Sequence, residues 1–100
     1  MTMNNPISNF QKVFESRIRL GIMSALMVND SLTFNALKEL LDLTDGNLAS
    51  HLKALEQQEI IMVSKQFIGR KPNTTYMATE HGKELFRRHL GSLEALINNQ

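Results

Sequence analysis

The chain has 100 residues, 42% hydrophobic and 21% charged, which is ordinary globular usage and enough for one small domain. Eleven Lys and Arg against ten Asp and Glu give a formal charge of +1, excluding a polybasic tail or an acidic disordered region. With no Cys, disulfides, thiolate metal sites and cysteine nucleophiles are excluded, and no fully apolar run exceeds four residues, so none can span a membrane.

Residues 1–12 are expected to form an amino-terminal arm. The opening MTMNNPISNF lacks the basic start and apolar core of a secretory signal, so a reducing, cytoplasmic address is expected. From Phe14 the pattern turns helical: Phe14, Ile18, Ile22, Ala25 and Leu26 stack on one face, widened by Leu20, Met23 and Met27. Asn29 and Asp30 end it. Ser31-Leu32-Thr33 is a candidate minimal strand. Asn35 is the expected N-cap of a second, short helix carrying Leu37, Leu40 and Leu41 and ending near Asp42. After a turn, Thr44 or Asp45 caps a third helix in which Leu48, Leu52 and Leu55 recur at four and three.

Ile60 to Val63 is β-rich and too short for a helix, and Thr74 to Ala78 has similar strand chemistry. The segment Phe67 to Asn73, with its Gly, Pro and Asn, joins them as a long-tipped hairpin. Thr79 is positioned to cap a last helix running to about Asn98.

Two short helices joined by a tight turn make a helix-turn-helix, and a following hairpin makes it winged. The run LKELLDLTDGNLASHLKALE, then a strand, then FIGRKPNTTYMATEHGKEL, resembles the small winged-helix transcriptional regulators related to the MarR and ArsR families. The resemblance covers about residues 14 to 90. The expected fold is α+β, mainly α: a winged helix-turn-helix over 13–79, with a three-helix core and a two-stranded wing, followed by a dimerisation helix over 80–100. The resemblance implies a conventional His at His51. Members commonly carry Arg where this chain has Ser50, and Gly at the end of the recognition helix where it has Glu59. A non-Gly residue in the left-handed region costs on the order of 1 kcal/mol, so the helix is expected to end differently here.

A helix of this kind fits the major groove of B-DNA. On a wheel the leucines of the third helix cluster within about 60°, leaving Asn47, Ser50, Lys53, Ala54 and Gln57 outward and His51 at the edge. These six are the candidate base-contacting residues, Asn47 and Ser50 foremost because they lie in the first turns. Any amphipathic helix has a polar outer face, and it is the helix-turn-helix spacing with the hairpin that selects the DNA reading. Between Ile60 and Ala78 stand Lys65, Arg70 and Lys71 and no acidic residue, a segment of +3 in a chain of +1. These three, with Thr33, Asn35 and Thr44 near helix amino termini, are the candidate phosphate contacts.

In the last helix Leu85, Phe86, His89, Leu90, Leu93, Leu96 and Ile97 form a broad apolar stripe, read as a homodimer interface in which His89 is interfacial. A two-fold dimer implies a roughly palindromic operator with half-sites about 34 Å apart. His81 and His89 are too far apart in sequence for a close ligand pair, so no metal and no cofactor is expected. No H-E-x-x-H, G-x-S-x-G or phosphate-binding Gly loop occurs, so no enzyme activity is expected. The function expected is a homodimeric, nucleoid-associated regulator of double-stranded DNA, acting most simply as a repressor. The competing expectation is a winged-helix adaptor that binds protein and not DNA. The sequence gives no site for a small-molecule effector.

Overall fold

The structure, a computed structural model, describes residues 10–98. Most of the expected amino-terminal arm, residues 1–9, and the last two residues of the chain lie outside the described part.

Phe14 sits in a single 3-10 turn (Lys12–Phe14), not in the first helix. Helix α1 (Arg17–Val28) starts later because Ser16 is extended and its Oγ accepts from Arg19 N at 3.4 Å. Phe14 still reaches the core, where it is fully buried with Ile22, Met23 and Leu26. Strand β1 is the minimal Leu32–Thr33 expected. Helix α2 (Phe34–Leu41) is capped by Thr33, whose Oγ1 accepts from Ala36 N at 3.1 Å. Asn35 is therefore inside the helix and is not its cap. As the last residue of β1, Thr33 already has the extended backbone that an N-cap needs.

Helix α3 (Asp45–Gln57) is capped by Thr44, whose Oγ1 accepts from Asn47 N. Strands β2 (Ile61–Ile68) and β3 (Lys71–Ala78) pair antiparallel along their whole length, from Ile61↔Ala78 to Ile68↔Lys71. The hairpin tip is only Gly69-Arg70, shorter than expected. Gly69 at φ +66 with Arg70 at negative φ gives the pattern of a type II′ turn, whose twist matches two paired strands. The wing is the two-stranded β2–β3 hairpin expected, and β1 adds to β3 through Leu32↔Tyr76 and Thr33↔Thr75, giving a three-stranded sheet in the order β1-β3-β2. Helix α4 (Glu80–Asn98) follows.

The core gathers Leu37 of α2, Leu48, Leu52 and Leu55 of α3, Ile60 and Ile61, and Phe86 of α4 around the apolar face of α1. Phe86 meets Phe14 edge to face with ring centroids 5.3 Å apart. Its neighbour on the same face, His89, is 4% exposed. The His89 ring lies beside Phe10 and Phe14, and its Nδ1 accepts from Gln11 N at 3.0 Å. Phe86 and His89 are thus occupied within their own chain, a correction to their expected place on the pairing stripe. The hydrogen bond satisfies the buried imidazole and docks the last residues of the arm on α4.

The α3–β2 junction also departs from expectation. Glu59 takes the left-handed conformation, φ 58, although it is not Gly. Ile60 N donates to Leu55 O and Glu59 N to Glu56 O, the two bonds of a Schellman motif. Thr79 holds the motif from outside. Its hydroxyl donates to Glu59 O at 2.6 Å, with Ile60 O at 3.1 Å, while Oγ1 accepts from Gly82 N at 2.9 Å. A Cβ at Gly82 would overlap the Ile60 carbonyl oxygen, so only Gly lets α4 start this close to the strand. Gly82→Ala is expected to lower stability by about 1–3 kcal/mol, as overpacking against backbone does. A shift of the urea midpoint at unchanged slope checks it.

Candidate nucleic-acid interface

The turn between α2 and α3 is built by local hydrogen bonds. Asp42 closes α2 in the left-handed region (φ 52). Asp42 N bonds to Glu39 O and Leu43 N to Lys38 O, a second Schellman motif. Thr44 then opens α3 at once. Lys38 Nζ lies 2.7 Å from Asp45 Oδ1 across the turn, both largely exposed. Such an exposed pair contributes at most about 1 kcal/mol, while Asp45 also suits the positive end of α3.

With Leu48, Leu52 and Leu55 buried, the outer face of α3 presents Asn47, Ser50, Lys53 and Gln57 to solvent. Ala54 is half-buried at its margin. None of the salt bridges among the described residues engages Lys53. His51 is half-buried, and its Nδ1 accepts from Arg19 Nε at 3.0 Å. That bond requires the neutral imidazole. Burial, then the Arg19 charge, holds the His51 pKa below its ordinary value.

Arg19 is the residue that sequence reasoning missed. Its partner is 32 positions away, and on α1 alone it reads as a polar residue among apolar neighbours. Its guanidinium braces the edge of α3 through His51.

The wing carries Lys65, Arg70 and Lys71, all exposed. None of the described salt bridges neutralises them. At the wing's base Tyr76 is half-buried, and burial and the Glu56 carboxylate of α3 together raise its pKa, keeping the phenol protonated. Thr33 and Asn35 line a shallow hollow with Phe34, Pro72, Asn73 and Thr74, which joins the start of α2 to the wing. Thr33 and Thr44 spend their hydroxyls as acceptors in N-caps, whereas Asn35 is exposed. The structure therefore brings the α2 start together with the wing, and α3 runs through the Glu59 turn directly into β2 of the wing. The α4 residues are dispersed: Phe86 and His89 are buried, Leu85 and Leu93 half-buried, and Leu90, Leu96 and Ile97 exposed. Among the described residues no cluster of His, Asp or Glu could hold a metal, and no helix is long and apolar enough to cross a membrane.

Residues 18–97 match the family model described as a winged helix DNA-binding domain. The chain is 35% identical over 88 residues to an uncharacterized protein of Methanocaldococcus jannaschii, covering 88% of this chain and 96% of that one. Among solved structures it is similar to a transcriptional regulator homologue from Pyrococcus horikoshii, at 34% identity and TM-score 0.77, covering 92% of this chain and 96% of that one. It also shares the fold of a MarR-family protein from Enterococcus faecalis, at 21% identity and TM-score 0.72, covering 98% and 84% of the two chains. The resemblance drawn from the helix-turn-helix and wing motifs is borne out by these matches.

The His51–Arg19 bond gives a pH dependence with a definite sign. Between the lowered folded pKa and the ordinary value, the unfolded chain binds more protons, so stability falls on acidification through that window. His51→Asn keeps an acceptor without a titrating group. Between about pH 7.5 and about pH 5 the melting temperature of the wild type should fall further than that of His51→Asn. Parallel curves would remove His51 from the account.

Proposed function

Since the chain belongs to the winged helix DNA-binding domain family, we propose that it is a sequence-specific regulator that binds double-stranded DNA as a homodimer and represses by occluding a promoter. The family is one of DNA-binding regulators and not of enzymes. The observation that carries the reading is the pairing of an exposed polar face on α3 with a basic wing that no acidic residue interrupts. Asn47 and Gln57 have the amide geometry to pair with adenine, Ser50 is short enough to bond several bases, and Lys53 reaches guanine or phosphate. His51 and Ala54 line the edge of the same surface. Lys65, Arg70 and Lys71 hold the backbone, helped by Asn35 and by the amino termini capped by Thr33 and Thr44.

Dimerisation uses the carboxy-terminal half of α4. Leu90 is 44% and Ile97 67% exposed, and Leu93, between them on the helix, is half-buried. An isologous pairing of this stripe places two α3 helices on half-sites of a palindrome. The working address is the cytoplasmic nucleoid.

The deciding experiment is sedimentation of the protein with and without a duplex at two salt concentrations. A dimer contacting about six phosphates should lose on the order of a thousandfold in affinity between about 50 and about 200 mM salt. Arg70→Ala with Lys71→Ala should weaken binding to all duplexes alike, whereas Asn47→Ala should narrow the gap between operator and random DNA by about 1–3 kcal/mol. A dimer indifferent to DNA at both salts would favour the protein-binding adaptor. A monomer would remove the palindrome.

A further inference from the structure

The wing tip has a feature that phosphate contacts leave unexplained. Phe67 is 76% exposed and Ile68, its neighbour on the opposite face, 67% exposed. The other five aromatic side chains, Phe10, Phe14, Phe34, Tyr76 and Phe86, are all at least half-buried. In the β2–β3 register Phe67 lies opposite Pro72 and Lys65 opposite Thr74, on the same face as the pair Val63 and Tyr76. At the base that face packs on the core, through Tyr76 and Ala78. From Lys65 outward the residues of β2 are exposed, a projection of about 13 Å at the usual rise per residue. The tip is stiff. Pro72 has a fixed φ and Gly69-Arg70 closes a two-residue turn.

An exposed aromatic on an edge strand is a liability for self-pairing unless something covers it. Charge identifies the occupant: Lys65 stands on the same face as Phe67, Arg70 lies in the turn and Lys71 pairs with Ile68 on the other face, and no acidic residue stands between Ile60 and Ala78. A polyanion with apolar layers between its charges satisfies both halves of the surface, and stacked bases between phosphates are such a structure.

We propose that the wing enters the minor groove and inserts Phe67 as a wedge between two base pairs, kinking the duplex, with Lys65, Arg70 and Lys71 on the flanking phosphates. This rests on the DNA-binding reading above and adds to it a mode of indirect readout, since pyrimidine–purine steps such as TA unstack most readily.

The test uses the full chain and a duplex of alternating adenine and thymine carrying 2-aminopurine at adenine positions, whose fluorescence rises when the base unstacks. Anisotropy of an end label reads binding separately. The wild type at low salt should bind and raise the fluorescence by more than about twofold, as unstacking by a wedge predicts. Phe67→Ala, a surface change that leaves the core intact, should still bind within about tenfold, through the phosphate contacts, but give no rise. Phe67→Leu, still an apolar wedge, should keep most of it. Wild-type binding without a rise, or a rise that survives in Phe67→Ala, would overturn the wedge while leaving DNA binding in place. No binding at low salt would overturn the DNA reading and the wedge with it. If wild type but not Phe67→Ala sediments with phosphatidylserine vesicles while both give the same 2-aminopurine signal, the tip is a membrane contact and the wedge is wrong.

Discussion

The Thr79 hydroxyl is the contact on which the geometry of the DNA-facing surface depends. It holds the carbonyls of Glu59 and Ile60 where α3 turns into β2, and its oxygen receives Gly82 N at the start of α4. Three elements therefore meet at one side chain: the recognition helix, the wing and the carboxy-terminal helix. The left-handed residue at Glu59 has a backbone cost of about 1–2 kcal/mol for a non-Gly side chain. The two Schellman hydrogen bonds, the Thr79 hydrogen bonds and the burial of Ile60 and Ile61 offset it. The exit angle of the wing follows from that closure.

The same device recurs one turn earlier. Asp42 ends α2 in the left-handed region as Glu59 ends α3, and each is followed by an apolar residue turned inward, half-buried Leu43 and buried Ile60. Asp tolerates this conformation better than Glu because its short side chain can bond locally. The helix-turn-helix is thus defined by backbone hydrogen bonds at two helix ends and by threonine hydroxyls at two helix starts, Thr33 and Thr44. Charge contributes little to it. The Lys38–Asp45 pair is exposed, and removing it should leave the turn in place.

Periodicity made the helices legible, because buried leucines at three and four residues leave a pattern that needs no knowledge of the partner. The outer face of α3 was legible for the same reason, as the complement of Leu48, Leu52 and Leu55. Contacts between distant positions were not. The third strand exists because Leu32 and Thr33 find β3 more than 40 residues later, and Arg19 gains a role only through His51. Composition also misled at two places. Gly, Pro and Asn between Phe67 and Asn73 suggested a long loop, yet Pro72 and Asn73 lie within β3 opposite Phe67 and Gln66. His89 and Phe86 looked like part of an interface because their stripe is continuous with Leu90 and Ile97. What divides the stripe is the side of α4 that the chain itself covers: Phe86 packs on Phe14 with His89 beside it, whereas Leu90 and Ile97 stay exposed.

A net charge of +1 gives little overall attraction to a polyanion, but DNA responds to local charge. At about 0.15 M salt, screening limits exposed charges to roughly 8 Å, so the acidic residues of α2 and α4 do little to cancel a wing that projects beyond the body. Segregation of charge then does what excess charge does in more basic proteins. It has a second consequence. The wing cations act on any phosphate backbone alike, so discrimination between duplexes must come from the shape and base edges of the site. The proposed dimerisation suits that regime. In the proposed dimer, two such surfaces held at a fixed spacing would multiply their selectivity.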